Sequence, residues 1–234
     1  MDINNDGKND IIAGDSSGAV WMFLNTGTPE KPELAAGKKL EADGKEIAAT
    51  TKTYKKEGNT YVVDKTIVGS HELSLIYSKI HVGDWDGDGL KDLLVGHDNT
   101  IVLYKNAGTP EACRFLAPVA LPCPDGKAWP MRPSPYLIDL DGDGKTDLLV
   151  GSESPRVMFY RNLGTNKEIK LDKGVALPLA GDGFEKGYRI RICVADWNND
   201  GVLDILAGNI YTSTSTDGKS RKSGGSIWLF LGKK

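Results

Sequence analysis

The sequence predicts an all-β chain built as a β-propeller of four-stranded antiparallel blades, and three observations predict it. A nine-residue acidic loop occurs four times, each copy runs into a short apolar stretch closed by glycine, and an aromatic-rich stretch comes about ten residues later. The composition agrees: 28 glycines and 39% hydrophobic residues in 234 suit short strands joined by tight turns, with length enough for a core.

The loops are DINNDGKND (2–10), DWDGDGLKD (84–92), DLDGDGKTD (139–147) and DWNNDGVLD (196–204). Carboxylates this close repel one another, so the arrangement calls for a multivalent cation or for water between them. Oxygen ligands at positions 1, 3 and 5, glycine at 6 and a backbone carbonyl at 7 form the front half of an EF-hand-type calcium loop. The expected ligands in the first two loops are Asp2, Asn4, Asp6, the Lys8 carbonyl and Asp10, then Asp84, Asp86, Asp88, the Leu90 carbonyl and Asp92. In the last two they are Asp139, Asp141, Asp143, the Lys145 carbonyl and Asp147, then Asp196, Asn198, Asp200, the Val202 carbonyl and Asp204. Asp and Gly also build ordinary turns that need no metal. The fourfold recurrence favours the cation, and up to four Ca2+ ions are expected.

The residues after position 9 exclude an EF-hand, which would supply a glutamate at position 12 and enter a helix. Here the runs are IIAG, LLVG, LLVG and ILAG, which read as buried strands. A dockerin, whose similar loops lead into helices, is disfavoured on the same ground.

The loops start at 2, 84, 139 and 196, giving intervals of 82, 55 and 57 residues, the length of a four-stranded blade. Strand A runs into the loop in SKIHVGDWD, PYLIDLD and RIRICVADWN, and strand B leaves it. Strand C carries the aromatics in AVWMFLN, IVLYKN, VMFYRN and SIWLFLG. The turns NTGT, NAGT and NLGT then lead to strand D in ELAAGKKLEA, RFLAPVALP and IKLDKGVALP, with Asn and Gly expected to supply the turn's backbone geometry. The longer first interval holds two alternating runs around Gly58 and Asn59, read as an added hairpin near 48–70. The repeats therefore fall near 1–76, 77–130, 131–187 and 188–234. The first lacks strand A and the last strand D, so the expectation is part, or half, of a seven- or eight-bladed propeller, the half completed by self-association with a second copy.

The formal charge is −3, yet the loops hold 14 of the 32 acidic residues, and four calcium ions would carry the total to +5. A mildly basic loaded protein suits an anionic partner. Lys and Arg form no continuous stripe, so nucleic acid is not expected. No apolar stretch approaches the length of a membrane span. Cys113, Cys123 and Cys193 lack metal-type spacing and are read as small buried or half-buried thiols.

With these motifs in place, the chain resembles the VCBS/FG-GAP repeat family, whose units are propeller blades with D-x-[DN]-x-D-G-x-x-D calcium loops between strands A and B, as in integrin α-subunit heads. The resemblance is closer to bacterial secreted proteins, and covers nearly all of the chain except the hairpin insertion. It implies an extracellular or cell-surface location. The A–B and C–D turns share one face, so a ligand is expected on the other, where HELSLIYSK, DGKAWPMRPS and EKGYRIR bring His71, Tyr77, Lys79, Trp129, Arg132, Tyr188, Arg189 and Arg191. Such side chains suit sugars or carboxylates, or else pack between blades. The B–C loop at 209–226 shares that face and reads as a disordered tip or a specificity loop.

The function expected is a non-catalytic, calcium-stabilised module that binds or adheres to carbohydrate, an acidic glycan included, or to protein. None of the three histidines sits in a nucleophile or zinc motif. The alternative, implied by resemblance, is part of a polysaccharide lyase of the rhamnogalacturonan lyase type.

Overall fold

The computed structural model describes residues 1–48, 50–58, 60–68, 77–181, 184–214 and 221–233. They fall into two compact units, Met1–Leu121 and Pro122–Lys234. Among the described residues the only helical element is a 3₁₀ turn at Phe184–Lys186, and everything else regular is antiparallel strand.

In the first unit, β1 (Ile11–Gly14), β2 (Val20–Phe23) and β3 (Lys38–Lys39) form a sheet in that order, as strands B, C and D. Two short strands, β4 (Glu41–Ala42) and β5 (Lys45–Glu46), pair with each other. The hairpin expected near 48–70 is present as β6 (Thr50–Glu57) paired with β7 (Thr60–Val68). A complete blade comes next, β8 (Lys79–Gly83), β9 (Asp92–His97), β10 (Thr100–Tyr104) and β11 (Val119–Leu121).

The second unit holds another complete blade, β12 (Ser134–Ile138), β13 (Asp147–Gly151), β14 (Met158–Tyr160) and β15 (Val175–Ala176). Strands A, B and C of the last repeat are β16 (Tyr188–Ala195), β17 (Asp204–Thr214) and β18 (Arg221–Phe230). These are propeller blades in the order A to D that the repeat predicts.

The continuous apolar runs DLLVGH and DLLVG are buried at every residue, as inner strands covered on both faces must be. In the first unit they pack in a core with Val20, Leu40, Ile47, Tyr104 and Phe115. In the second, Leu149, Phe159, Phe184, Ile190 and Ala207 form the core.

The glycine closing strand B has a packing cause in the first and third repeats, whereas a Cβ on Gly208 in the fourth would meet only the Arg191 carbonyl oxygen at 4.0 Å. A Cβ on Gly151 would lie 2.6 Å from the Ile190 carbonyl oxygen, and one on Gly14 would meet the Ser78 carbonyl. At both places the next strand A crosses close, with Ile190 N–H donating to the Ser152 carbonyl (2.7 Å) and Ser78 N–H to that of Asp15 (3.1 Å). Gly151→Ala is expected to cost about 1–3 kcal/mol in urea denaturation through this overpacking, with cation binding unchanged.

The C–D turns lie where expected, but their asparagines act through the side chain. Asn25, Asn106 and Asn162 are absent from the residues with positive φ. Each is buried, and its Oδ1 accepts two backbone N–H groups: Gly27 and Glu33, Gly108 and Arg114, Gly164 and Lys170, all at 2.9–3.1 Å.

Two further expectations change. Cys193 is exposed on β16, while Cys113 is half-buried and Cys123 buried, all three as free thiols. The 209–226 loop is largely paired strand: β17 and β18 stay in register from Ile205 opposite Phe230 to Thr214 opposite Arg221. The tip at 215–220 lies outside the described residues.

Candidate metal centres and ligand site

Each acidic loop is a turn wound around its own carboxylates. The first aspartate caps it: Asp84 Oδ1 accepts the Gly87 N–H (2.8 Å) and Oδ2 the Gly89 N–H (2.9 Å), and Asp139 does the same with Gly142 and Gly144 (both 2.9 Å). Asp2 and Asp196 accept from Gly7 and Gly201 at 2.9 Å. The fifth-position carboxylate accepts the seventh-position N–H in all four loops, at 2.8–3.0 Å. The sixth-position glycines sit at φ between 81° and 86°, where a side chain would be strained. The fourth position is also left-handed, and it is filled by Asn5, Gly87, Gly142 and Asn199.

The ninth aspartate ties the loop to strand C. Asp92 is fully buried; its Oδ1 accepts the Asn106 N–H (2.7 Å) and its Oδ2 the Trp85 N–H (2.9 Å). The arrangement repeats at Asp10 with Asn25 and Ile3, Asp147 with Asn162 and Leu140, and Asp204 with Gly232 and Trp197. Burial pushes the Asp92 and Asp147 carboxyls above the usual carboxylate range, against the pull of these N–H donors. Negative charge held out of water in this way is relieved by a cation.

The donors are all oxygens, the chemistry of a hard divalent cation. Asp84, Asp86 and Asp88 present oxygens within 4.8 Å of one another, as do Asp139, Asp141 and Asp147. Asp86 divides its two oxygens: Oδ2 pairs with Lys105 Nζ, while Oδ1 is buried without a hydrogen-bond partner, so the residues fit such an ion. The equivalent strand-C residue in the next blade, Arg161, places Nε 2.6 Å from Asp141 Oδ2. The Asp86 hydrogen bond raises the Lys105 ammonium above its ordinary value, burial opposing. The motif reading took only the loop residues and missed both cations, although each comes directly after its aromatic strand. The C–D turn lies against the loop as expected: Asn166 Oδ1 accepts the Thr146 N–H (2.7 Å) and its Nδ2 donates to the Gly144 carbonyl (3.0 Å).

On the other side of the blades, the B–C turn meets the leads into strand A. Arg132 Nη1 lies 3.4 Å from Glu153 Oε1, and Arg189 Nε 3.2 Å from Glu153 Oε2. Arg191 donates through Nη1 to the Ile190 carbonyl (2.8 Å) rather than to Glu153; burial lowers its pKa, with Arg189 and Arg132 adding to that and Glu153 opposing it. Arg189 and Arg191 line an open cavity of about 340 Å³ with Asn209 and Ile227. Arg132 and Arg189 hold φ of 51° and 60°, and Tyr77 holds 45°, conformations that cost a non-glycine residue on the order of 1 kcal/mol or more and that concentrate at functional sites. Glu153 was missed by the sequence reading, which sought aromatic and basic residues; its place in the B–C turn was the available signal.

The other expected ligand residues are placed differently. Trp129 is 3% exposed, edge-on to Tyr160 at 5.1 Å between ring centres, and belongs to the core rather than to a binding face. Tyr188 hydroxyl shares a hydrogen bond with Thr212 (3.0 Å). Lys79 is buried in the first unit, its Nζ donating to the Tyr77 carbonyl (2.8 Å) and sitting 4.6 Å from that ring. His71 lies outside the described residues.

Blades with acidic loops between strands A and B define a propeller-repeat protein. A family model described as FG-GAP-like repeat matches residues 84–150 and 139–207, more than half of the chain, which therefore belongs to that family. No curated protein matches it. FG-GAP repeats are typical of extracellular proteins. Among the described residues no helix is long and apolar enough to cross a membrane.

Proposed function

We propose that this chain is a calcium-stabilised extracellular binding module, secreted or displayed on a bacterial surface, that takes an acidic glycan through its arginine cluster. Ca2+ would be held by the carboxylates and amides at positions 1, 3, 5 and 9 and by the seventh-position carbonyls of the four loops. It would supply charge neutralisation and turn rigidity, and no chemistry on a substrate. The single observation that carries the ligand reading is the meeting of Arg132 and Arg189 on Glu153, with a third guanidinium, Arg191, lining an open cavity beside Arg189. Arginine forks recognise carboxylates through paired charge-assisted hydrogen bonds. The long hairpin formed by β17 and β18 borders the same cavity through Asn209 and Ile227.

Calorimetric titration with oligogalacturonate, against a neutral oligosaccharide of equal length, tests this reading. Saturable binding of the acidic glycan that weakens at least tenfold in Arg189→Ala is expected. Equal binding of both sugars, or of neither, overturns the acidic-glycan assignment. Unsaturated products absorbing in the ultraviolet would instead favour the lyase reading.

A further inference from the structure

The four loops are of two kinds, and the kind of loop goes with a residue outside it. Loops 2 and 3 read Asp-Gly at positions 3 and 4, Asp86–Gly87 and Asp141–Gly142, and the strand-C residue before the C–D turn is basic, Lys105 and Arg161. Loops 1 and 4 read Asn-Asn, Asn4–Asn5 and Asn198–Asn199, and the same strand-C position is Leu24 and Leu231. Counting the ligand side chains with that residue, four carboxylates and one cation, or three carboxylates and none, leave every loop at −3. The contacts agree, since Lys105 and Arg161 reach the third-position carboxylates. Lys8 and Lys145, at the seventh position, lie against the fifth-position carboxylates at 3.1 and 3.0 Å, and occur once in each kind of loop, so they do not share this pattern.

We propose that Lys105 and Arg161 are charge-compensating residues that offset the extra third-position carboxylate, matching the calcium affinity of the Asp-Gly loops to that of the Asn-Asn loops. This rests on the calcium reading above. Lys105 takes Asp86 Oδ2 and leaves Oδ1 for the ion, so its effect is exerted through charge and through the setting of that carboxylate. The benefit is uniformity: a loop with an uncompensated fourth carboxylate would fill at lower calcium than its neighbours, and the blades would rigidify separately instead of together.

The sequence supplies the means to read single loops. Trp85 and Trp197 occupy position 2 of loops 2 and 4, where loops 1 and 3 carry Ile3 and Leu140, so tryptophan-sensitised terbium luminescence reports loops 2 and 4. In a Trp197→Phe background the signal belongs to loop 2, and calcium competition gives its affinity. Lys105→Leu, which installs the residue that loops 1 and 4 already use, is expected to tighten calcium about tenfold. That is the Coulombic effect of a unit charge on a divalent ion about 6 Å away in near-aqueous dielectric. Adding Asp86→Asn is expected to return the affinity to within about threefold of the parent.

The converse is read in loop 4 on a Trp85→Phe background: Asn198→Asp tightens calcium, and Leu231→Lys, placed at an exposed position, reverses the gain. Unmodified protein that binds no calcium overturns the reading on which the proposal rests. Four ions bound with Lys105→Leu and Asn198→Asp both without effect overturns the proposal alone. Uptake of only two ions, in loops 1 and 4, also overturns it, because Lys105 and Arg161 would then replace the ion.

Discussion

Removing divalent cations with EGTA is expected to lower the melting temperature of this protein by many degrees, and returning calcium is expected to restore it. The expectation comes from the charge each loop must hold without an ion. Asp84, Asp86 and Asp88 crowd their oxygens within 4.8 Å, and Asp139, Asp141 and Asp147 do the same. The hydrogen bonds that offset this come from the loops' own backbone and from a few cations. A ligand that binds only the folded chain stabilises it by about 2.7 kcal/mol per site at a hundredfold excess over Kd. Loops 1 and 2 lie in the first compact unit and loops 3 and 4 in the second, so both units lose stability. Differential scanning calorimetry with and without EGTA measures the effect, and an unchanged melt removes calcium from the account. Magnesium should rescue poorly, because its strict octahedral geometry suits these crowded carboxylates less well than the adaptable shell of calcium.

Strand order was legible because two periods coincide in the sequence, the nine-residue loop and the apolar run after it. The reasons behind several recurring details were not. Asn106 and Asn162 look like turn residues chosen for backbone freedom, yet they act as buried acceptors for two N–H groups each. Gly151 looks like a strand terminator, and its cause is a strand from the next repeat. Trp129 lies in DGKAWPMRPS, a stretch with turn residues and charges and no strand periodicity, and therefore reads as surface; the packing of Tyr160 against it shows the core. Arg132 and Arg189 were visible as basic leads into strand A, whereas their meeting at Glu153 depends on one contact within a repeat and one between neighbouring repeats, neither of which the motif spacing encodes.

Asp92→Ala is expected to destabilise the protein by about 2–5 kcal/mol in urea denaturation even with calcium chelated, whereas Asp88→Ala in the same loop is expected to cost little under those conditions. The difference lies in the groups each carboxylate holds. Asp92 is inaccessible to solvent and joins the acidic loop to strand C through the Trp85 and Asn106 N–H groups, which its loss leaves unsatisfied in the interior. An unsatisfied buried donor costs about 1–3 kcal/mol. Asp88 is exposed; it accepts the Leu90 N–H and has Lys105 Nζ 3.9 Å away, and water can replace both. If calcium is bound as proposed, both variants would lose an ion ligand in its presence, and the gap between them is expected to narrow. Asp92→Asn falls between: it keeps an acceptor for Asn106 but turns an amide N–H toward that of Trp85. Equal losses for Asp92→Ala and Asp88→Ala in EGTA would show that the ninth aspartate is a metal ligand and nothing more. A larger loss at Asp92 would mean that the loop is folded onto its blade without an ion, so that calcium, where it binds, would tighten a turn already in place.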